Sequence, residues 1–153
     1  MMKKLLLFIL LVLFFVGCGR SSIPLNKGAL QQRNVYDVNE ILGSEYAKQN
    51  IKGFDRVRLE FGSNDQNKTI KKANIKVQKY VTTSSVEFIK DACTEAFIEI
   101  IRKYVKSAIK HKADVVNISS NWRGNKELLK DKFVCMSGPK TIGIMLTADF
   151  AEK

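Results

Sequence analysis

The chain has 153 residues, with 26 Lys and Arg against 15 Asp and Glu, and a formal charge of +11 at neutral pH. That length holds one small domain once a targeting segment is set aside. The bases are spread along the chain with no RNA-binding signature, zinc-finger spacing or basic–aromatic alternation, so no nucleic-acid partner is expected, whereas anionic lipid, lipopolysaccharide or peptidoglycan would all suit the charge.

Met1 to Lys4 form a positive leader, and Leu5 to Val16 are uninterrupted apolar residues. This run is short for a membrane span and right for the core of a signal peptide. The ending Phe15-Val16-Gly17-Cys18 resembles the bacterial lipobox, with Phe15 where leucine is usual. The resemblance implies that residues 1–17 are a cleaved lipoprotein signal peptide and that Cys18 is lipidated and acylated, as with palmitate. Acyl chains at about 0.8 kcal/mol per buried CH₂ would hold the mature chain to a membrane. The competing reading is an ordinary secretory signal with an incidental cysteine. Gly19, rather than aspartate, follows Cys18, which by the enterobacterial sorting rule directs the protein to the outer membrane with its domain in the periplasm. Residues 18–38 are polar and aperiodic and read as a flexible tether, leaving 39–153 as a single domain.

Within that domain, Asn39 is placed to cap a short helix over Glu40 to Lys48, with Ile41, Leu42 and Tyr46 facing inward. Phe54 to Phe61 alternates apolar and charged residues throughout and predicts a strand. Residues 62–68 read as a loop, and Ile75 to Val81 as a second strand. A long amphipathic helix is expected from Ser84 to Lys112. Ser84 and Glu87 form a capping box, and Val86, Ile89, Cys93, Ala96, Phe97, Ile100, Ile101, Tyr104, Ala108 and Ile109 recur on one face. Its other face carries acids early and bases late, as the helix dipole favours, and reads as a solvated surface. Ala113 to Trp122 is a buried strand, Arg123 to Lys126 a loop, Lys132 to Met136 a strand, and Thr141 to Ala148 the last strand. The expected fold is α+β: one long helix packed on a small antiparallel or mixed sheet of about five strands.

With Cys18 assigned to lipid, Cys93 and Cys135 remain. In an oxidising envelope two such cysteines most often form one disulfide. Cys93 lies on the apolar helix face, and Cys135 in a strand expected beneath it. The alternative is a redox-active or metal-binding pair, for which neither C-x-x-C spacing nor more than the single histidine is present.

No catalytic set, metal site or cofactor motif emerges. His111, among lysines at a helix end, reads as a C-terminal residue facing the dipole, and no nucleophile elbow accompanies it. Asp114 could be a base or, preferably, a loop acid bonded to backbone. Glu95 and Glu99 read as surface acids. Trp122 with Arg123 and Asn125 forms a candidate recognition loop for a glycan or partner protein. The preferred reading of the ring itself is a tryptophan folded back to cap the sheet. Asp65 to Thr69 fits the extended sequon of bacterial N-glycosylation at Asn67.

Ala92-Cys93-Thr94-Glu95-Ala96-Phe97, Ala113 to Ser120, Phe133-Val134-Cys135 and Phe61-Gly62 resemble a family of small exported bacterial proteins often labelled "excinuclease ATPase subunit". The resemblance covers about residues 37–150 and implies a periplasmic domain with one disulfide. The label does not carry over: this sequence has no G-x-x-x-x-G-K-[ST] phosphate loop and no zinc-finger cysteine set. The helix followed by Ala113-Asp114-Val115-Val116 is also similar to the Rcs-type stress-sensor lipoproteins and to YbjQ-like domains. Here Lys112 replaces their usual glycine, and the second disulfide of the Rcs-type sensors is missing, so signalling is analogy at the level of fold.

The leading expectation is a non-enzymatic envelope lipoprotein, anchored through its N-terminal lipid, whose domain binds an envelope protein or glycan. The alternatives are a cell-wall-directed hydrolase using carboxylates, and a binder of anionic envelope polymer through the basic surface.

Overall fold

The structure, a computed structural model, describes residues 30, 32–64, 67–83 and 85–153. In chain order the elements are β1 (Gln32–Asp37), α1 (Val38–Leu42), α2 (Glu45–Asn50), a 3-10 turn (Phe54–Arg56), β2 (Arg58–Phe61), β3 (Thr69–Thr82), a second 3-10 turn (Val86–Phe88), α3 (Ile89–Lys110), β4 (Val115–Trp122), β5 (Asn125–Glu127), β6 (Lys132–Ser137) and β7 (Thr141–Glu152). The architecture is α+β, with the one long helix α3 packed on a sheet. That sheet has seven strands among the described residues, rather than about five.

Strand β7 is its centre. One edge pairs with β3 from Thr69↔Glu152 to Thr82↔Thr141. The other edge is shared, with β6 over Cys135↔Ile144 to Ser137↔Ile142 and β4 over Val115↔Ala151 to Ser120↔Leu146. Outside these, β1 pairs antiparallel with β6, and β2 pairs parallel with β4, so the sheet is mixed. Where β4 and β6 meet, the Ser120 hydroxyl accepts a hydrogen bond from the Val134 backbone N–H at 3.0 Å and satisfies a donor that no strand reaches.

Residues alternate between the sheet's two faces. Ile142, Ile144, Leu146, Ala148 and Phe150 of β7, Val116 and Ile118 of β4 and Phe133 and Cys135 of β6 join the apolar face of α3 in one core. The helix supplies Ile89, Cys93, Ala96, Phe97, Ile100, Ile101, Tyr104 and Ala108, at the spacing its sequence predicts. The Tyr104 hydroxyl lies 2.8 Å from the Leu146 carbonyl oxygen and 3.0 Å from that of Ile75, tying the helix to β7 and β3. On the opposite face Leu30, Val134 and Met136 form a smaller cluster with Tyr80, Trp122 and Leu129.

Several expectations are corrected. The segment read as tether up to Val38 contains β1, whose Gln32–Asp37 pairs with Lys132–Ser137. The single helix over Glu40 to Lys48 is two, broken at Gly43 and Ser44. Asp37, not Asn39, caps the first, and Ser44 caps the second by accepting from the Ala47 N–H. Ile41 and Leu42 are buried as expected, but Tyr46 is 51% exposed. Phe54 to Phe61 is a strand only from Arg58, because Gly53 in the left-handed region (φ 78°) turns the preceding residues into a 3-10 turn. The long helix begins at Ile89 with no side-chain cap at Phe88, Val86 is exposed, and Ser84 lies outside the described residues.

Candidate functional site

Cys93 and Cys135 are joined by a disulfide, with Cα atoms 6.1 Å apart. Both are completely buried. Cys93 is on the core-facing stripe of α3 and Cys135 on the core-facing side of β6, so the bond staples helix to sheet from within the core. Cys18 lies outside the described residues, as do residues 1–17 and most of the tether. Among the described residues no helix is long and apolar enough to cross a membrane.

The structure divides the candidate recognition loop. Trp122 is the last residue of β4 and stands opposite Asn125 in a hairpin closed by Arg123 and Gly124 alone. Both have positive φ, 53° and 90°, as a tight two-residue hairpin turn requires. The expected four-residue loop is therefore two turn residues and the start of β5. The indole is half-buried, lies edge-on to Tyr80 with ring centroids 6.3 Å apart, and belongs to the outer-face cluster. Arg123 and Asn125 remain exposed at the tip.

The candidate acids and His111 are not brought together. His111 ends α3, with its Nε2 3.3 Å from Lys72 Nζ and its ring 6.2 Å from that of Phe150. Asp114 Oδ1 accepts from the Lys153 backbone N–H at 3.2 Å, the loop-acid role preferred from its position. Glu95 is exposed. Glu99 pairs with Lys79 at 2.6 Å and Lys103 at 3.1 Å, and hydrogen bonds from these two lysines hold its carboxyl below the usual range. Asn67 is exposed between β2 and β3, while Asp65 and Gln66 of its sequon lie outside the described residues. Among the described residues no group of three or more His, Cys, Asp or Glu is arranged to hold a metal ion.

Two cavities open beside α2. One, of about 480 Å³, is mainly apolar, lined by Val38, Leu42, Phe54, Val57, Leu59 and Phe61, with Lys48, Arg58 and Asp131 among its polar residues. The other, of about 530 Å³, lies between α2 and α3 and is lined by Gln49, Asn50, Lys52, Arg102, Lys106 and Ile109. Ala47 and Ile51 enter the common core and seat α2 beside α3. Gly53 then passes so close to α3 that a Cβ would lie 2.8 Å from Ile109 Cδ1. This close approach leaves Lys52 facing the same groove as Arg102 and Lys106. In the sequence, Arg102 and Lys106 fall on the solvated face of the helix. The available signal was their spacing: two like charges one turn apart, which an isolated helix disfavours.

No family model matches the chain, and neither a curated protein nor a solved structure is significantly similar to it.

Proposed function

We propose that this chain is a non-enzymatic lipoprotein of the bacterial envelope, anchored through Cys18 and carrying a folded domain that binds another envelope component. The observation that carries the reading is the Cys93–Cys135 bond. A fully buried disulfide between a helix and a sheet belongs to proteins that mature in an oxidising compartment. The lipobox-like Phe15-Val16-Gly17-Cys18 supplies a route to such a compartment, and Gly19 supports the outer membrane as the destination. The similarity to small exported bacterial proteins around Cys93 and Cys135 supports the same placement.

The test is the intact mass of the protein extracted from cell membranes, with and without reductant. The expected species begins at a triacylated Cys18 and gains two hydrogens on reduction. A full-length chain with free thiols would refute the reading. Crosslinking in intact cells tests the binding role, with a specific envelope partner or glycan as the expected product. Recovery of the chain alone would count against that role.

A further inference from the structure

We infer that the groove between α2 and α3 is a binding site for a small phosphorylated polyol, either a free sugar or glycerol phosphate or the same chemistry carried on a lipid headgroup. This deepens the proposed binding role by naming a site and a ligand class, and it rests on that role only for where the ligand is met.

Among the described residues the groove is lined by three cations (Lys52, Arg102 and Lys106), two amides (Gln49 and Asn50) and one aliphatic side chain (Ile109), and by no carboxylate. Several cations elsewhere are matched by acids. Arg58 and Lys68 meet Glu60, Lys79 and Lys103 meet Glu99, Lys90 meets Glu40, Lys71 meets Glu152, and Arg33 meets Glu127. Lys103, next to Arg102 in sequence, points at Glu99, 3.1 Å away, while Arg102 and Lys106 face the groove and meet no acid among the described residues. Two like charges one helical turn apart work against the helix that bears them. Lys52 is added to them from a different segment by the close passage of Gly53 over Ile109. A ligand with two negative charges relieves all three.

The chemistry selects the class. A guanidinium presents a planar fork suited to two phosphate oxygens, and lysines add point charges that follow a dianion. The Gln49 and Asn50 amide nitrogens already donate within α2, to Glu45 Oε1 at 3.3 Å and the Tyr46 carbonyl at 2.8 Å, and their amide oxygens can accept from hydroxyls. Ile109 offers a surface for a carbon skeleton. The volume of about 530 Å³ falls within the roughly 300–1,000 Å³ of small-molecule sites and exceeds what a lone inorganic ion needs.

The full chain, held in neutral detergent, is titrated calorimetrically with glycerol phosphate, inorganic phosphate and glycerol. Saturable binding is expected for glycerol phosphate, weaker binding for phosphate and none for glycerol. The double variant Arg102→Gln/Lys106→Gln, at two exposed positions, is expected to weaken glycerol phosphate binding by at least about tenfold through the loss of two charge-assisted contacts. Lys140→Gln, at the opposite end of β7, should bind as the native chain does. Thermal unfolding of each variant confirms that it is folded. Competition by micelles doped with phosphatidylglycerol identifies the headgroup as the source, and its absence identifies a soluble ligand. Either result supports the site. Equal binding by the native chain and the double variant overturns it, as does equal weakening by Lys140→Gln. No binding of any probe, with a loss of thermal stability in the double variant, also overturns it and assigns the cations to the carboxyl end of α2. A reduced, unlipidated chain in cells would remove the envelope reading and leave the binding result standing.

Discussion

The ring of Phe97 stacks on that of Phe133, with centroids 4.1 Å apart and planes 14° apart. Phe97 lies one helical turn after Cys93, and Phe133 lies two strand positions before Cys135. The stacked rings and the disulfide are therefore successive rungs between the same face of α3 and the same face of β6. One rung is covalent and the other depends on packing, and the two are separable by experiment.

Reducing the disulfide, or replacing both cysteines by alanine, is expected to lower stability by about 4 kcal/mol through the entropy returned to the unfolded chain. The sequence separation of 42 residues sets that figure. Urea unfolding with and without reductant measures it. A loss below about 1 kcal/mol would show that the reduced unfolded chain keeps this loop closed by itself.

Phe97→Ala removes a completely buried ring and is expected to lose about 3–5 kcal/mol. A double-mutant cycle with Phe133→Leu should give a coupling of about 0.5–1.5 kcal/mol from the stacked geometry. Additive losses would mean that each ring packs against the general core and not against the other.

Burial pushes the Tyr104 phenol well above its ordinary value. The sign follows from which state ionises. Below about pH 10 both folded and unfolded phenols are protonated and stability is unaffected. As pH rises further, the unfolded phenol ionises while the folded one stays protonated, so stability falls. Tyr104→Phe should cost about 1 kcal/mol near neutrality, for the lost hydrogen bond, and flatten the alkaline decline. Absorbance at 295 nm is the readout. Ionisation of Tyr104 in the folded protein at its ordinary pH would contradict the burial.

Glu60 is paired with Arg58 at 2.6 Å and with Lys68, whose side chain is only 3% exposed. Burial alone would raise the Glu60 carboxyl, but the Lys68 hydrogen bond and charge, helped by Ser63 and Arg58, hold it below its ordinary value. A depressed carboxyl contributes stability above the unfolded value of about 4.5, and that contribution disappears as pH falls through the folded value. Glu60→Gln is expected to lose about 1.5–3 kcal/mol at neutral pH and to weaken the acid decline. Chemical denaturation across the acid range measures both, and an unchanged acid limb would rule the pair out as its source.

The parts of the fold legible in the sequence are those where one face is wholly buried. The stripe from Cys93 to Ala108 follows the helical period because the sheet covers it completely. Cys93 and Cys135 could be paired because both sit on such faces. β1 was illegible because Gln32, Arg33, Val35 and Asp37 are exposed and only Asn34 and Tyr36 are half-buried, so the strand shows no apolar alternation. Phe54 to Phe61 carried the alternation of a strand without its backbone, since Gly53 redirects the chain locally. The α2–α3 groove could not be read at all as a site. Lys52 is distant in sequence from Arg102 and Lys106, and only the tertiary approach of Gly53 to Ile109 unites them. Trp122, a lone aromatic in a polar segment, fits its preferred reading as a ring folded back on the sheet, since the outer-face cluster uses it.

Strand β3 is bonded to β7 alone among the described strands, and its register shifts between Ile70 and Lys72 and again between Lys72 and Ile75. An open sheet edge is a template on which another extended chain can grow, the beginning of aggregation. Here a strand from a neighbouring copy pairing along the whole of β3 would meet both irregularities and lie alongside Lys71, Lys72 and Lys76, its own lysines opposing them. The β3 edge is thus built to resist its own likeness over its first half.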